Sequence, residues 1–427
     1  MSTHIHPPLG RATAPAVRPV DRLASLSRRR AGWTDRWVAR RVQQTIAPAG
    51  VRLELWDRSS PYDSDRPPVG DLVVHDRRAL VGLAVNPDLY FGEAYMAGRL
   101  DVRGRLESVV EALSRLTLTP SLQSRIGRRL VVPNTLRAAR DNVHHHYDLG
   151  NSFYQQWLDR ELVYTCAYFE RPEMSLDEAQ RAKMDLVCRK LQLKPGDQVV
   201  EAGCGWGALA LFMARHYGVQ VKAFNVSREQ LTFARERAAQ EGLTGQVEFI
   251  DDDYRNVRGT FDVFVSIGML EHVGLHHLTT LADVLRRTVR RDGGRGLLHF
   301  IGRDTLCLLN PWVRRRIFPG AYPPTLAEVT TRVLVPAEMS VVDVENLRLH
   351  YARTLELWAA NYEAATDWVR QTYGDQFARA WELYLAGSRA AFASGWMQLF
   401  QVLFTPRESV PPFWSRADIY GSPGRSR

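Results

Sequence analysis

Three glycines alternate behind an acid in this chain, in the pattern Glu201-x-Gly203-x-Gly205-x-Gly207. An apolar run ends at the acid, and an apolar helical pattern starts after the last glycine. Glycines at such a junction let backbone amides approach a ligand at a helix N-terminus. The chemistry implied is capture of a nucleotide-like ligand. A dinucleotide is disfavoured, because its fingerprint is G-x-G-x-x-G and its second strand closes on an acid for the ribose. Here the second strand, Gln220 to Phe224, closes on Asn225. Alone, the glycines could be an ordinary tight turn; the flanking strand–helix–strand pattern gives them weight.

The elements that must position this loop follow from periodicity. Strands are expected at Gln198–Ala202, Gln220–Phe224, Val247–Ile250, Phe261–Ile267 and Gly296–Ile301, with helices such as Ser227–Gln240 and Leu278–Val289 between them. This alternation predicts the α/β class: a Rossmann-like domain with a doubly wound, mostly parallel sheet. Ligands bind such sheets at the carboxyl ends of the strands. That edge contains residues 201–207, Asn225, 251–254, 268–272 and 299–302. The segment from Pro311 to Glu338 interrupts the alternation and carries IFPGAYPP, which cannot be continuous helix. It is expected to form a lid.

Upstream of this domain the composition changes. Residues 1–42 are basic and expected to be flexible, with Arg28, Arg29, Arg30, Arg36, Arg40 and Arg41 around Trp33 and Trp37. They read as a solvated tail or as a segment lying on an anionic membrane surface. Residues 43–118 form a small N-terminal α+β domain, 119–140 a linker, and 141–427 the catalytic domain. In the small domain VRLELW, LVVHD and ALVGLAVN look like strands, while FGEAYMAGRLDVRG and LESVVEALSRL look helical or mixed.

The chain has 427 residues, 45% hydrophobic and 24% charged, as in an ordinary globular protein. Its formal net charge of +9 favours an acidic partner, either anionic lipid or nucleic acid. No apolar run approaches the roughly 20 residues that cross a bilayer, and no signal-peptide pattern opens the chain. The expectation is a cytoplasmic protein. Four cysteines, Cys166, Cys188, Cys204 and Cys307, contain no C-x-x-C pair, which fits a reduced compartment.

The E-x-G-x-G-x-G spacing is that of S-adenosyl-L-methionine (SAM) methyltransferases. HHYDLGNSFYQQWLDRELVYTCAYFE (145–170), SLDEAQRAKMDLVCRKLQLKPGDQVVEAGCGWG, SIGMLEHVG, LHFIG, IFPGAYPPTLAEV, ENLRLHYARTLELW and YLAGSRAAFASGWMQLFQVLF narrow this further. In this order they resemble the cyclopropane-fatty-acyl-phospholipid synthases and the related mycolic acid cyclopropane synthases. The match runs from about Asp141 to the C-terminus; FGEAYMAGRLDVRG resembles the family's N-terminal, lipid-associated domain.

The resemblance implies SAM-dependent transfer of a methylene group to the cis double bond of an unsaturated phospholipid acyl chain. Methyl transfer leaves a carbocation, and a bound bicarbonate ion removes the proton so that a cyclopropane ring closes. By motif, the bicarbonate residues are Cys166, Glu271, His299, Ile301 (through its main chain) and Tyr351. The SAM residues are Tyr164, Thr165, Glu201, Gly203, Gly205, Asn225, Gln230, Asp253 and Tyr254. Asn225 stands where many relatives have Thr, and a ribose contact is expected of it. Tyr147 and Asn151 are expected to shape the acyl channel. The family also implies peripheral association with the inner face of the membrane and a possible homodimer.

Other readings are weaker. The run His144–His146 has no acid or cysteine at ligand spacing, so no metal is expected. A lipid-binding protein without activity would have lost Glu271, His299 or Tyr351, and all are present. A nucleic-acid methyltransferase would carry an N/D-P-P-Y/F-type signature, and none is seen; no nucleic-acid partner is expected. The closest alternative is a fatty acyl C-methyltransferase making a methyl- or methylene-branched chain. It would use the same residues.

Overall fold

The computed structural model describes residues 30–117 and 149–420. Its core is a seven-stranded sheet in the order β6-β5-β4-β7-β8-β10-β9. Strands β4 (Gln198–Ala202), β5 (Gln220–Asn225), β6 (Val247–Asp251), β7 (Val263–Ile267) and β8 (Arg295–Gly302) are parallel. β7 is buried at every position, as expected for a central strand covered on both faces. The chain order reverses between β4 and β7, which creates the crevice where doubly wound sheets bind ligands.

β9 (Met339–Asn346) and β10 (Gln398–Pro406) complete the sheet as antiparallel strands. Sequence periodicity did not resolve this pair. β10 is buried throughout, so QLFQVLFTP has no alternation to read. Between β9 and β10 the chain forms two long helices, Arg348–Tyr373 and Asp375–Ser394.

Helix α5 (Leu176–Lys190) leads into β4 and starts at a capping box between Ser175 and Glu178. Its buried stripe includes Leu176, Ala179, Gln180, Lys183, Met184 and Val187. Gln180 and Lys183 are polar members of that otherwise apolar face. The glycine loop follows β4, with Gly203, Gly205 and Gly207 all at positive φ. At Gly207 an added Cβ would lie 2.6 Å from the Phe249 ring and 2.9 Å from Ala234, so only glycine lets the next helix pack so closely.

The N-terminal domain contains α1 (Trp33–Ile46), β1 (Val51–Glu54), β2 (Gly70–Val74), α2 (Arg77–Val85), α3 (Pro87–Met96), β3 (Leu100–Arg103) and α4 (Leu106–Ser114). Two expectations are corrected here. ALVGLAVN belongs largely to helix α2, not a strand: Asp76 caps it by accepting from the Ala79 amide, and its short apolar run fits either period. Residues 33–42 are not tail. They lie in α1, whose Asp35, Ala39, Val42, Gln43 and Ile46 form a buried stripe, so the domain begins before residue 43. The remaining tail through Arg29, the linker segment 118–148 (with Tyr147 and His144–His146) and residues 421–427 lie outside the described residues.

The domain docks on the second long helix. Arg379 donates to the carbonyls of Tyr95 and Leu100 and pairs with Asp101, and Tyr95 donates to Glu382 at 3.0 Å. The 311–338 segment is broken, as expected, into a short helix at Pro311–Arg316 and, after the proline-rich stretch, a second at Leu326–Val329 that runs on as a π-helical turn, Thr330–Leu334. Trp312 of that helix packs on Gly92 of α3, where an added Cβ would fall 2.4 Å from the indole. Overpacking of this kind costs about 1–3 kcal/mol. Gly92→Ala should therefore lower the melting temperature measurably; an unchanged melt would show that this contact is not made.

Candidate active site

Two cavities open at the carboxyl ends of the parallel strands and share a wall of Tyr164, Thr165, Gly268 and His272. The first is about 170 Å³. All nine residues expected at the SAM site line it: Tyr164, Thr165, Glu201, Gly203, Gly205, Asn225, Gln230, Asp253 and Tyr254. The second is about 510 Å³ and lies between the two domains. All five residues expected at the bicarbonate site line it: Cys166, Glu271, His299, Ile301 and Tyr351. The 311–338 segment covers both, with Pro319 on the first and Phe318 and Pro323 on the second.

The first cavity can hold a cationic nucleoside-like ligand such as SAM. Glu201 Oε2 is buried without a hydrogen-bond partner among the described residues. Burial pushes the Glu201 carboxyl up, and the charge of Lys183 opposes that shift. A Cβ on Gly205 would meet no protein atom within 4 Å, so its backbone faces open space. The segment carrying Tyr164 and Thr165 is anchored by Gln180, which donates to the carbonyls of Val163 and Thr165. Lys183 donates to Thr165 Oγ1 at 2.9 Å.

Three of the expected residues have partners within the protein. Asn225 is occupied within the protein: its Nδ2 donates to Gly205 O and Gln230 Oε1, and its Oδ1 accepts from the Val226 amide. It staples the glycine loop to Gln230 at the wall of the cavity. Asp253, beside Tyr254 in the cavity wall, is held by Arg255 through both carboxylate oxygens at 2.8 and 3.0 Å. Asn151 accepts from Trp206 Nε1 at 2.7 Å, beside the glycine loop and away from the second cavity.

In the second cavity Glu271 and His299 carry buried side-chain atoms without partners among the described residues. Glu271 sits on a single turn after β7, is 6% exposed, and has an unpartnered Oε2 among the described residues. Burial pushes its carboxyl up to about 7, against the pull of the backbone amides of Glu271 and Ile301. Cys166 is a buried thiol pushed far up by burial, its Sγ 3.1 Å from Ala167 O. It is neutral and no nucleophile. The Tyr351 ring packs against Phe392 and Trp358.

His299 has a defined tautomer. Gln401 lies opposite it on β10, and the Gln401 amide nitrogen is 3.0 Å from His299 Nδ1. Lys190 donates to Gln401 Oε1 at 2.8 Å and is itself paired with Glu345. An ammonium has only donors, so the amide oxygen must face Lys190 and the NH2 must face the ring. Nδ1 then accepts and the ring proton sits on Nε2. Burial, with the charges of Lys183 and Lys190, holds the His299 pKa well below its usual value, so the ring is neutral. Nε2 has no partner among the described residues and lies on a ring that faces the cavity. The arrangement can offer one fixed donor to a small oxyanion and one exchangeable proton on Glu271.

Lys183, Lys190 and Gln401 escaped the sequence reading. The signal for Lys183 was present, as a lysine on the apolar stripe of α5. Gln401 was a lone amide in an apolar run. Only the pairing of β10 with β8 gives it a meaning.

The chain is similar to known proteins over most of its length. The profile of a family described as mycolic acid cyclopropane synthetase matches residues 134–402, and that of a domain of unknown function matches residues 41–119. A Pseudomonas putida protein named "Probable fatty acid methyltransferase" is 36% identical over 87% of this chain and 96% of its own length. The cyclopropane-fatty-acyl-phospholipid synthase of Escherichia coli is 34% identical over 75% of this chain and 86% of its own. The structure of the cyclopropane synthase MmaA2 from Mycobacterium tuberculosis superposes with a TM-score of 0.59 at 29% identity, covering 62% of this chain and 97% of that one.

The tautomer is directly measurable. Nitrogen-15 NMR of the protein should show His299 as a single Nε2–H form. Gln401→Leu should mix the two forms and lower turnover about tenfold or more. A wild-type ring protonated on Nδ1 would refute the assignment.

Proposed function

Because the chain belongs to the mycolic acid cyclopropane synthetase family and is a SAM-dependent methyltransferase of fatty acyl chains, we propose a specific reaction for it. It transfers a methylene group from SAM to the cis double bond of an unsaturated phospholipid acyl chain, forming a cyclopropane with bicarbonate as the base. The observation that carries this reading is the shared wall. A smaller cavity suited to the cofactor meets a larger and more apolar one at Tyr164, Thr165, Gly268 and His272, and unpartnered Glu271 and His299 atoms belong to the larger side.

When bound, SAM supplies an electrophilic methyl group. Glu201, Gly203, Gly205, Gln230 and Tyr254 would hold it, with Asp253 and Asn225 shaping the loop and Tyr164 and Thr165 closing over it. Cys166, Glu271, His299, Ile301 and Tyr351 would hold bicarbonate, whose chemistry is that of a general base. His299 offers its Nε2–H to the ion. Glu271 offers a proton below about pH 7; above that its carboxyl ionises and opposes a neighbouring anion. The apolar walls exclude water, which would otherwise intercept positive charge on the acyl chain.

A second reading, a methyl- or methylene-branched product, is favoured by the name and coverage of the Pseudomonas relative. Incubation with SAM and defined unsaturated phospholipids, followed by NMR of the product, separates the two. Glu271→Leu, which removes the donor, should reduce product formation about 100-fold or more while SAM still binds. Full ring formation by that variant would remove the ion site from the proposal.

Substrate lipids imply a surface from which they are taken. Helix α1 exposes Trp33 (80%) and Trp37 (56%) with Arg36, Arg40 and Arg41. Arg41 stacks over Trp37 and also lines the second cavity, so the cavity reaches this helix. Aromatic anchors among cations suit an anionic bilayer surface, the inner leaflet in the reading proposed here. Among the described residues no helix is long and apolar enough to cross a membrane. Replacing Trp33 and Trp37 by Ala should weaken binding to anionic vesicles, and added salt should weaken it further. Unchanged vesicle binding would exclude this face.

A further inference from the structure

Residues 299, 301 and 303 alternate along β8 and its extension, so their side chains share one face. All three line the second cavity. His299 and Ile301 belong to the reacting end. Arg303 has no role there, yet it is 2% exposed and makes no ion pair among the described residues.

The Arg303 environment is incomplete for a guanidinium. Its Nη1 donates to Leu308 O at 2.9 Å and contacts Cys307 Sγ, and its Cζ lies 5.4 Å from the Trp396 ring. Its Nε is buried without a partner. The neighbouring acid, Asp304, is bound by Gln398 at 2.8 Å. The other arginine buried among the described residues, Arg295, makes the contrast: it is paired with Asp197 at 2.5 Å. Arginine stays charged in any protein environment, and a buried charge without a counterion is costly. Its donor fork fits carboxylate or phosphate oxygens.

The geometry points to Arg303 as the site that takes the oxyanion of the lipid substrate, a carboxylate or a phosphate, inside the acyl cavity. This rests on the acyl-lipid reading given above. His299 and Arg303 are four residues apart on an extended strand, a Cα separation of roughly 13 Å. A cation at that distance sets how far the reacting bond lies from the charged end of the chain. Arg303 thus becomes a determinant of which double bond is modified.

Saturated lipids test this without turnover. Calorimetry on the full-length protein would compare palmitate with hexadecanol, and dipalmitoylphosphatidic acid with dipalmitoylglycerol. Each pair differs in the oxyanion. The wild type should bind the anionic member of at least one pair roughly tenfold to a hundredfold more tightly. Arg303→Met should abolish that preference and leave binding of the neutral member unchanged; Arg303→Lys should keep part of it. A preference confined to the first pair identifies a carboxylate, and one confined to the second a phosphate. If Arg303→Met does not fold, Arg303→Gln takes its place. A wild type without preference, or a preference that survives loss of the charge, overturns the inference. If no lipid of either kind binds, the acyl-substrate reading fails, and this inference with it.

Discussion

Glu201 Oε2, Glu271 Oε2 and His299 Nε2 are shut away from water without hydrogen-bond partners among the described residues. Each such atom costs about 1–3 kcal/mol in a folded protein. The cost is tolerable because the surrounding structure holds these groups rigidly, and because all of them border cavities shaped for ligands. In the reaction proposed above the acceptor is an alkene, a weak nucleophile, and charge arising on it must be kept from water. Dry, fixed polar atoms are what such chemistry requires. The aromatic and aliphatic walls, the covering segment and the interdomain position of the larger cavity all serve to keep them dry.

The larger cavity is a product of two domains. α1, α2, α3 and α4 supply one side, and the segment after β8 with the second long helix supplies the other. Arg379, Glu382 and Arg389 of that helix fix the N-terminal domain through Tyr95, Asp101 and Glu111. The small domain therefore forms one wall of this cavity, and its exposed tryptophans stand on the helix that borders it.

Hydrogen bonds, not charge alone, set the state of the reacting groups. Glu345, Lys190 and Gln401 form a line from the outer strand to His299, and each member constrains the next. The neutral ring offers a donor where an anion would sit. Glu271, pushed up by burial, can share a proton at neutral pH. Two groups with opposite responses to burial thus present donors to one place.

Much of this was legible in the residues. The spacing Glu201-x-Gly203-x-Gly205-x-Gly207 and the strand–helix alternation determined the sheet and its binding edge, because backbone conformation and periodicity are local properties. The ordered motifs around Cys166, Glu271, His299 and Tyr351 pointed to a shared site, and the structure brings them to one cavity. Tertiary structure alone decided the rest. Asn225 and Asp253 are tied to Gln230 and Arg255, pairings that the sequence does not display. Gln401 and Arg303 look unremarkable in sequence; a neighbouring strand gives one a histidine, and burial deprives the other of a counterion. Partners distant in sequence carry no local signal, so only the folded chain shows which polar atoms are satisfied and which are left for a ligand.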